Sequence, residues 1–212
     1  MKTDRAHTEP PYWDEACRIL TDRDPTIGRL IETHRADVLR GSGDAFQTLL
    51  NAIVGQQISV AAAAGIWQRL RTAFPRLTPV SIAAADPAQL RAIGLSRRKV
   101  EYVHGVARAF IDGALDAAGW ATMADDDVRD ELVALRGIGP WTAEMMLIFH
   151  LQRPDVLPLG DIGLVNAAAR LYAWNGGPPK ERLLRHAELW RPWRTVATWY
   201  IWRDLDAEPV VY

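Results

Sequence analysis

Two glycines and a proline, in the order Gly137-Ile138-Gly139-Pro140, interrupt an otherwise helical pattern and dictate how the chain turns there. Glycine enters left-handed backbone conformations without a Cβ penalty, and the fixed φ and missing N–H of Pro140 suit a first helical position. The spacing therefore predicts a helix over 140–150, entered from a preceding helix that carries Val128, Leu132 and Leu135. A helix start opened by such a turn presents unpaired N–H donors and the positive end of the helix dipole, which favours a docked phosphate. Asp161 follows Gly139 by twenty-two residues. The predicted helix rises about 16 Å at 1.5 Å per residue. The segment from Leu151 to Gly160 can extend up to roughly 33 Å. Asp161 can therefore return beside the turn, giving a phosphate anchor and a carboxylate suited to chemistry on a nucleotide. Taken alone, Gly-x-Gly before a helix is most often only a turn.

The apolar residues elsewhere follow helical rather than alternating spacing, which predicts an all-α fold. Asp44 with Gln47 has capping-box spacing and opens a helix ending near Gly55. Ser59 caps an alanine-rich helix to about Phe74, and Asp86-Pro87 starts a short one that Gly94 stops. Ser96 begins a helix with Val100, Val103, Ala107 and Phe110 on one face and Gly113 at its end. Asp125 or Asp126 begins the helix leading into the turn. After Asp161 helices are predicted to about Tyr172, over 181–190 and over 192–205, with Trp190 and Trp193 on one buried helical face.

The 212 residues suffice for one sizeable domain or two small lobes. Cys17 is the only cysteine, which excludes an internal disulfide and any Cys-rich zinc or iron–sulfur site. Residues 1–13 are polar and proline-containing, and no run of about eighteen apolar residues occurs, so a cytoplasmic, soluble, membrane-free protein is expected. His34, His104, His150 and His186 lack metal-ligand spacing. The formal net charge of −1 argues against nucleic-acid binding by bulk electrostatics. Local clusters can offset this: Arg97, Arg98 and Lys99, or Arg182, Arg185, Arg191 and Arg194. With Ser96 as N-cap, Arg97 to Lys99 occupy a first helical turn where the dipole disfavours cations, which suggests a phosphate nearby.

The run from Leu135 to Ala143 resembles the helix-hairpin-helix signature of the DNA glycosylase superfamily. With Arg153-Pro-Asp-Val-Leu-Pro-Leu-Gly-Asp161 it is similar to the 3-methyladenine DNA glycosylase II branch. Ile53-Val-Gly-Gln-Gln-Ile-Ser59, Gly94-Leu-Ser-Arg-Arg-Lys99, Trp190-Arg-Pro-Trp-Arg194 and Trp202 extend the resemblance over roughly Asp44 to Trp202. Ordered matches across that much chain carry weight that a single motif lacks. The resemblance implies a two-lobed all-α glycosylase fold without an iron–sulfur cluster. One lobe would run over about 44–160, with the hairpin at 132–150; the other would combine 1–43 with 161–212. The hairpin and Asp161 would lie at the mouth of the cleft between them. The forty or so residues before Asp44 are too few for the N-terminal β-rich domain of some bacterial members, so a compact version is expected.

Base excision breaks an N-glycosidic bond through a transition state with oxocarbenium character, which a carboxylate stabilises while orienting or deprotonating water. The resemblance places Asp161 in that role, although aspartate is also a favoured N-cap. Bifunctional relatives carry a Schiff-base lysine where this chain has Trp141, which implies a monofunctional enzyme using water. Trp141 and Trp202 would line a base pocket, with an electron-rich face toward a cationic alkylpurine taken out of the duplex. Tyrosines of the family correspond here to Met145 and Ile162, and Gly160 stands where some members carry a second aspartate. Gly137, Gly139, Thr142, Gln57 and Ser59 are the implied DNA contacts. Gln57 sits at the wedge position, with a backbone-bonding helix-end glutamine as the alternative. The carbonyls of Val133, Leu135 and Ile138 are the implied ligands of a monovalent cation; no other cofactor is expected. The expected partner is double-stranded DNA containing alkylated bases, acted on by a monomer. The alternatives are a glycosylase for deaminated or mismatched bases and a non-catalytic helix-hairpin-helix module, which would need neither Asp161 nor an aromatic pocket.

Overall fold

The computed structural model describes residues 9–205, and every regular element among them is helical. In chain order they are α1 (Trp13–Arg23), α2 (Pro25–Thr33), α3 (Ala45–Gly55), α4 (Val60–Ala73), α5 (Pro79–Ala83) and α6 (Pro87–Ile93). Then come α7 (Arg97–Ile111), α8 (Asp125–Val133), α9 (Pro140–Phe149), α10 (Ile162–Leu171), α11 (Pro179–His186) and α12 (Arg194–Leu205). The all-α expectation holds. Among the described residues no helix is long and apolar enough to cross a membrane.

Among the described residues, contacts divide the chain into a first unit of residues 9–41 with 147–205 and a second of 42–146. The sequence reading set the second boundary near 160 instead. Residues 147–160 group with the first unit because their polar groups are bonded there. The Arg153 N–H donates to the Leu147 carbonyl at 2.8 Å. The Thr195 hydroxyl donates to the Arg153 carbonyl at 2.6 Å and accepts the Val156 N–H at 3.0 Å.

In the second unit α3 is the central helix. Asp44 caps it by accepting the Gln47 N–H at 3.0 Å, and the Gln47 amide returns to the other carboxylate oxygen at 2.9 Å. Nine of the ten residues from Ala45 to Val54 are buried, seven of them apolar; the helix packs against α4 and α7, and α5 packs on α7 in turn. Each such large side chain removed from water contributes roughly 1.5–3 kcal/mol. Phe46, Phe110 and Trp120 meet edge to face at 5.5 and 6.3 Å.

In the first unit α12 is central: Thr195 to Ile201 are all buried, and α1, α2 and α10 pack around them. The Trp13 indole donates to the Tyr200 hydroxyl at 3.3 Å. Asp24 caps α2 through Oδ1, accepting from Thr26 and Ile27, while its Oδ2 accepts from Tyr172 at 2.7 Å, Trp190 at 2.8 Å and His186 at 2.9 Å.

Three helices have no counterpart in the sequence reading. α5 has only five residues, too few for a period, although Thr78 and Ser81 cap it reciprocally. The Asp24-Pro25 start of α2 carries a cap signal of its own, and α1 ends directly before it. The helices predicted over 181–190 and 192–205 are also corrected. α11 ends at His186, a 3₁₀ turn covers Ala187–Trp190, and α12 begins only at Arg194. Trp190 and Trp193 therefore do not share a helical face. Trp190 is buried, whereas half-buried Trp193 lies in the turn and stacks on Tyr12 at 5.4 Å.

Candidate active site

Within the second unit the hairpin between α8 and α9 is held from below by three groups. Gly137 has a φ of 93°, and a Cβ there would stand 2.2 Å from Cγ of Tyr102, so an aromatic ring occupies the space a side chain needs. The Ile138 N–H closes the turn on the Leu135 carbonyl at 3.1 Å. The Gln56 side-chain amide donates to the Gly137 carbonyl at 3.0 Å and to the Thr142 hydroxyl at 2.9 Å. Gly139 differs from Gly137. A Cβ on it would meet nothing within 4 Å, so internal packing does not explain its lack of a side chain.

The two positions should separate in experiment. Gly137→Ala combines a disfavoured φ with overpacking against Tyr102 and is expected to lower unfolding stability by about 2–4 kcal/mol. Gly139→Ala is expected to leave the urea midpoint unchanged while weakening duplex DNA binding about fivefold, by blocking the backbone's approach to phosphate. A stable, fully binding Gly137→Ala protein would contradict the Tyr102 contact, and unimpaired binding by Gly139→Ala would remove Gly139 from the DNA contacts.

Thr142 is only 2% exposed and its hydroxyl is engaged by Gln56, so its side chain faces inward. Only its backbone remains to face a ligand, because the hydroxyl locks the start of α9 to the end of α3. Ser59 is exposed and caps α4, accepting the Ala62 N–H at 3.3 Å. Gln57 is exposed with a φ of 58°, and Ile58 beside it is 39% exposed. The backbone-bonding glutamine of this segment is thus Gln56. Trp141 is half-buried in the first turn of α9. Met145 is buried, while Val133 at the end of α8 and Leu135 and Ile138 in the turn carry the carbonyls singled out in the sequence.

The basic clusters are sorted by their partners. Lys99 does not face a phosphate from the first turn of α7: its ammonium donates to the Val54 carbonyl at 2.7 Å and the Gln56 carbonyl at 2.8 Å, closing the C-terminal end of α3. Arg97 pairs with Glu101 at 3.6 Å, and Arg98 is exposed. In the first unit Arg194 grips Asp155 through Nε at 2.6 Å and Nη2 at 3.0 Å, and Arg191 spans Asp155 and Glu188. These two arginines fasten the segment leading to Asp161 rather than forming a free basic patch. Arg185 lies 4.0 Å from Glu181, so it too has an acidic neighbour. The acidic residues Asp126 and Asp127 are exposed in the first turn of α8, where the dipole favours them.

Also in the first unit, Asp161 is the N-cap of α10, its Oδ1 accepting the Leu164 N–H at 2.8 Å. The cap function that the sequence allowed is therefore present. The chain arrives there through the turn bond from the Asp161 N–H to the Pro158 carbonyl at 2.9 Å. Ile162, directly after it, is 75% exposed. Trp202 is half-buried on α12 and stacks on Phe149 with rings 6.0 Å apart and 12° from parallel.

A helix, a glycine turn capped from below, and a second helix entered through Pro140 make up a helix-hairpin-helix, and residues 50–192 match the model of the HhH-GPD superfamily of base excision DNA repair proteins. The chain belongs to that superfamily. Among HhH-GPD proteins it is similar to DNA-3-methyladenine glycosylase 1 of Schizosaccharomyces pombe, at 32% identity over 82% of this chain and 78% of that protein. It is 33% identical to DNA-3-methyladenine glycosylase 2 of Escherichia coli over 86% of this chain, spanning 66% of that longer protein. The solved 3-methyladenine DNA glycosylase of Schizosaccharomyces pombe in complex with abasic DNA superposes with a TM-score of 0.79 at 30% identity, covering 89% of this chain and 95% of that one.

Proposed function

We propose that this HhH-GPD protein is a monofunctional DNA glycosylase that flips out alkylated purines, 3-methyladenine among them, and hydrolyses their N-glycosidic bond. The observation that carries the reading is Asp161: its backbone and one carboxylate oxygen are fixed by the start of α10, in a chain similar to 3-methyladenine glycosylases over most of its length. A carboxylate held in that way offers negative charge to the oxocarbenium-like sugar and a base for water with little reorganisation. The backbone N–H groups of Gly137, Gly139 and Thr142 anchor the DNA backbone, and Trp141 and Trp202 offer aromatic faces to the extruded base. Gln57 is the proposed wedge into the gap the base leaves. The protein is proposed to work as a monomer, in the cytoplasm, on double-stranded DNA with alkylated bases.

The carbonyls of Val133, Leu135 and Ile138 form an uncharged all-oxygen set of the kind that suits a hard monovalent cation. Leu135, whose carbonyl accepts the Ile138 N–H, keeps a second lone pair for it. The role proposed for such an ion is to add positive charge beneath the hairpin.

Lyase chemistry needs an amine at the reacting sugar. The chain has three lysines, Lys2, Lys99 and Lys180. Lys2 lies outside the described residues, Lys99 is committed to two carbonyls, and Lys180 is exposed on α11. Purified protein incubated with methylated duplex DNA is therefore expected to release free 3-methyladenine, detected chromatographically, and to leave intact strands with abasic sites. Borohydride should trap no protein–DNA adduct. A trapped adduct would overturn the monofunctional assignment. Release of uracil or hypoxanthine without methylpurine would move the substrate to deaminated bases, and duplex binding without release of any base would favour the non-catalytic module.

A further inference from the structure

The turn between α3 and α4 has an unusual backbone for its sequence. Gln56 has φ −54° and ψ 126°, and Gln57 follows with φ 58°. These three angles match a type II turn, whose third position ordinarily holds glycine because positive φ there strains any side chain. A glutamine in that place is held by its surroundings, and such strain concentrates where a side chain must be presented. Type I and type II turns differ by rotation of their central peptide. Here that is the peptide between Gln56 and Gln57, and its carbonyl is the one that accepts from Lys99 at 2.8 Å. Flipping it would relieve Gln57 but would break this bond. Lys99 also holds the Val54 carbonyl two residues earlier, and the Gln56 side chain is fixed on the hairpin at Gly137 and Thr142.

We infer that Lys99, with Gln56 as its partner, is a positioning residue that selects the type II form of this turn and so presents Gln57 outward as the wedge. The inference rests on the wedge reading of Gln57 given above. Three polar contacts on Gln56 tie the wedge turn to the start of α7 and to the hairpin, so the wedge and the phosphate anchor are parts of one braced assembly within the second unit. The first-turn position of Lys99, unfavourable for a cation with respect to its own helix, is offset because its ammonium serves the carbonyl end of another helix.

The test is a double-mutant cycle read as a ratio: affinity for a duplex carrying a tetrahydrofuran abasic analogue over affinity for the same undamaged duplex. A wedge acts on the numerator alone. Gln57→Ala is expected to lower the ratio about fivefold, within the range of one lost side-chain contact to a base. Lys99→Met should lower it by a similar factor, and the double variant should fall no further than Gln57→Ala, since coupled residues are non-additive. Lys99→Arg, which keeps a cationic donor, should retain the ratio. If Lys99→Met does not fold, Lys99→Ser, which removes the ammonium and leaves room for water at the two carbonyls, replaces it in the same cycle. A Lys99→Met protein that keeps the ratio while Gln57→Ala lowers it, or one that weakens both affinities equally, overturns the positioning role and leaves the wedge intact. A Gln57→Ala protein with an unchanged ratio overturns the wedge reading, and this inference with it.

Discussion

Asp161→Asn is expected to remain folded and to release methylated purines about 10² to 10³ times more slowly than the parent protein, the scale seen when one transition-state-stabilising group is removed. Asparagine is as good an N-cap as aspartate, so the bond from the Leu164 N–H survives and α10 keeps its start. What disappears is the negative charge that the proposed mechanism sets against the developing oxocarbenium ion, and with it the basicity toward water. Asp161→Ala removes both, adding a stability loss of about 1 kcal/mol for the missing cap. Single-turnover release from methylated DNA, measured beside urea denaturation of both variants, separates the two roles. If Asn retained parental rates, Asp161 would be a cap and nothing more. If Asn and Ala destabilised the protein equally, the capping bond would contribute nothing.

The second large effect is on stability. Asp24 is 4% exposed and accepts five hydrogen bonds, two from the start of α2 and three from Tyr172, His186 and Trp190. Burial alone would push its carboxyl up, but the bonds from His186, Trp190, Tyr172 and the Ile27 N–H hold it well below the usual carboxylate range. Asn in its place has one acceptor oxygen for donors on both sides and turns an NH₂ toward one set. The expected cost is roughly 3–5 kcal/mol, the loss typical of breaking a buried charge-assisted network. That is a large part of an ordinary domain's 5–15 kcal/mol. The pH dependence has a definite sign. Because the folded carboxyl sits below its unfolded value of about 3.9, its contribution is complete above that pH and is lost as the pH falls below it. Stability of the parent protein should therefore drop on acidification below about pH 4, and Asp24→Asn should show a shallower drop across the same window. Parallel curves for the two proteins would mean that Asp24 does not carry this linkage.

The contrast between these two aspartates shows what could be read in advance. Both stand at helix N-caps, at Asp161 before α10 and Asp24 before α2. The hairpin, too, is local: Gly137, Gly139 and Pro140 specify the turn and the following helix among near neighbours, which is why its place in the chain was legible. So were the caps at Asp44, Ser59, Asp86 and Ser96, each satisfied by an N–H two or three residues on. Capping depends on residues within one helical turn, and sequence spacing states that directly.

Partners distant in sequence were not legible. Lys99, Arg191 and Arg194 look from the sequence like phosphate-binding cations, yet their donors go to the Val54 and Gln56 carbonyls and to Asp155. Thr142 follows the turn like a DNA contact, yet its hydroxyl is taken by Gln56 from the end of α3. Asp24 receives its side-chain donors from residues 148 to 166 positions away. A charged or hydroxyl side chain carries the same donors whether it meets water, phosphate or a carbonyl, so its identity cannot name its partner. The sequence by itself determined the helical class, the hairpin and the aspartate that opens α10, because each follows from backbone preferences over a few residues. Only the tertiary structure decided which polar groups are left to face a ligand, because that depends on which long-range donors and acceptors are already satisfied when the helices pack.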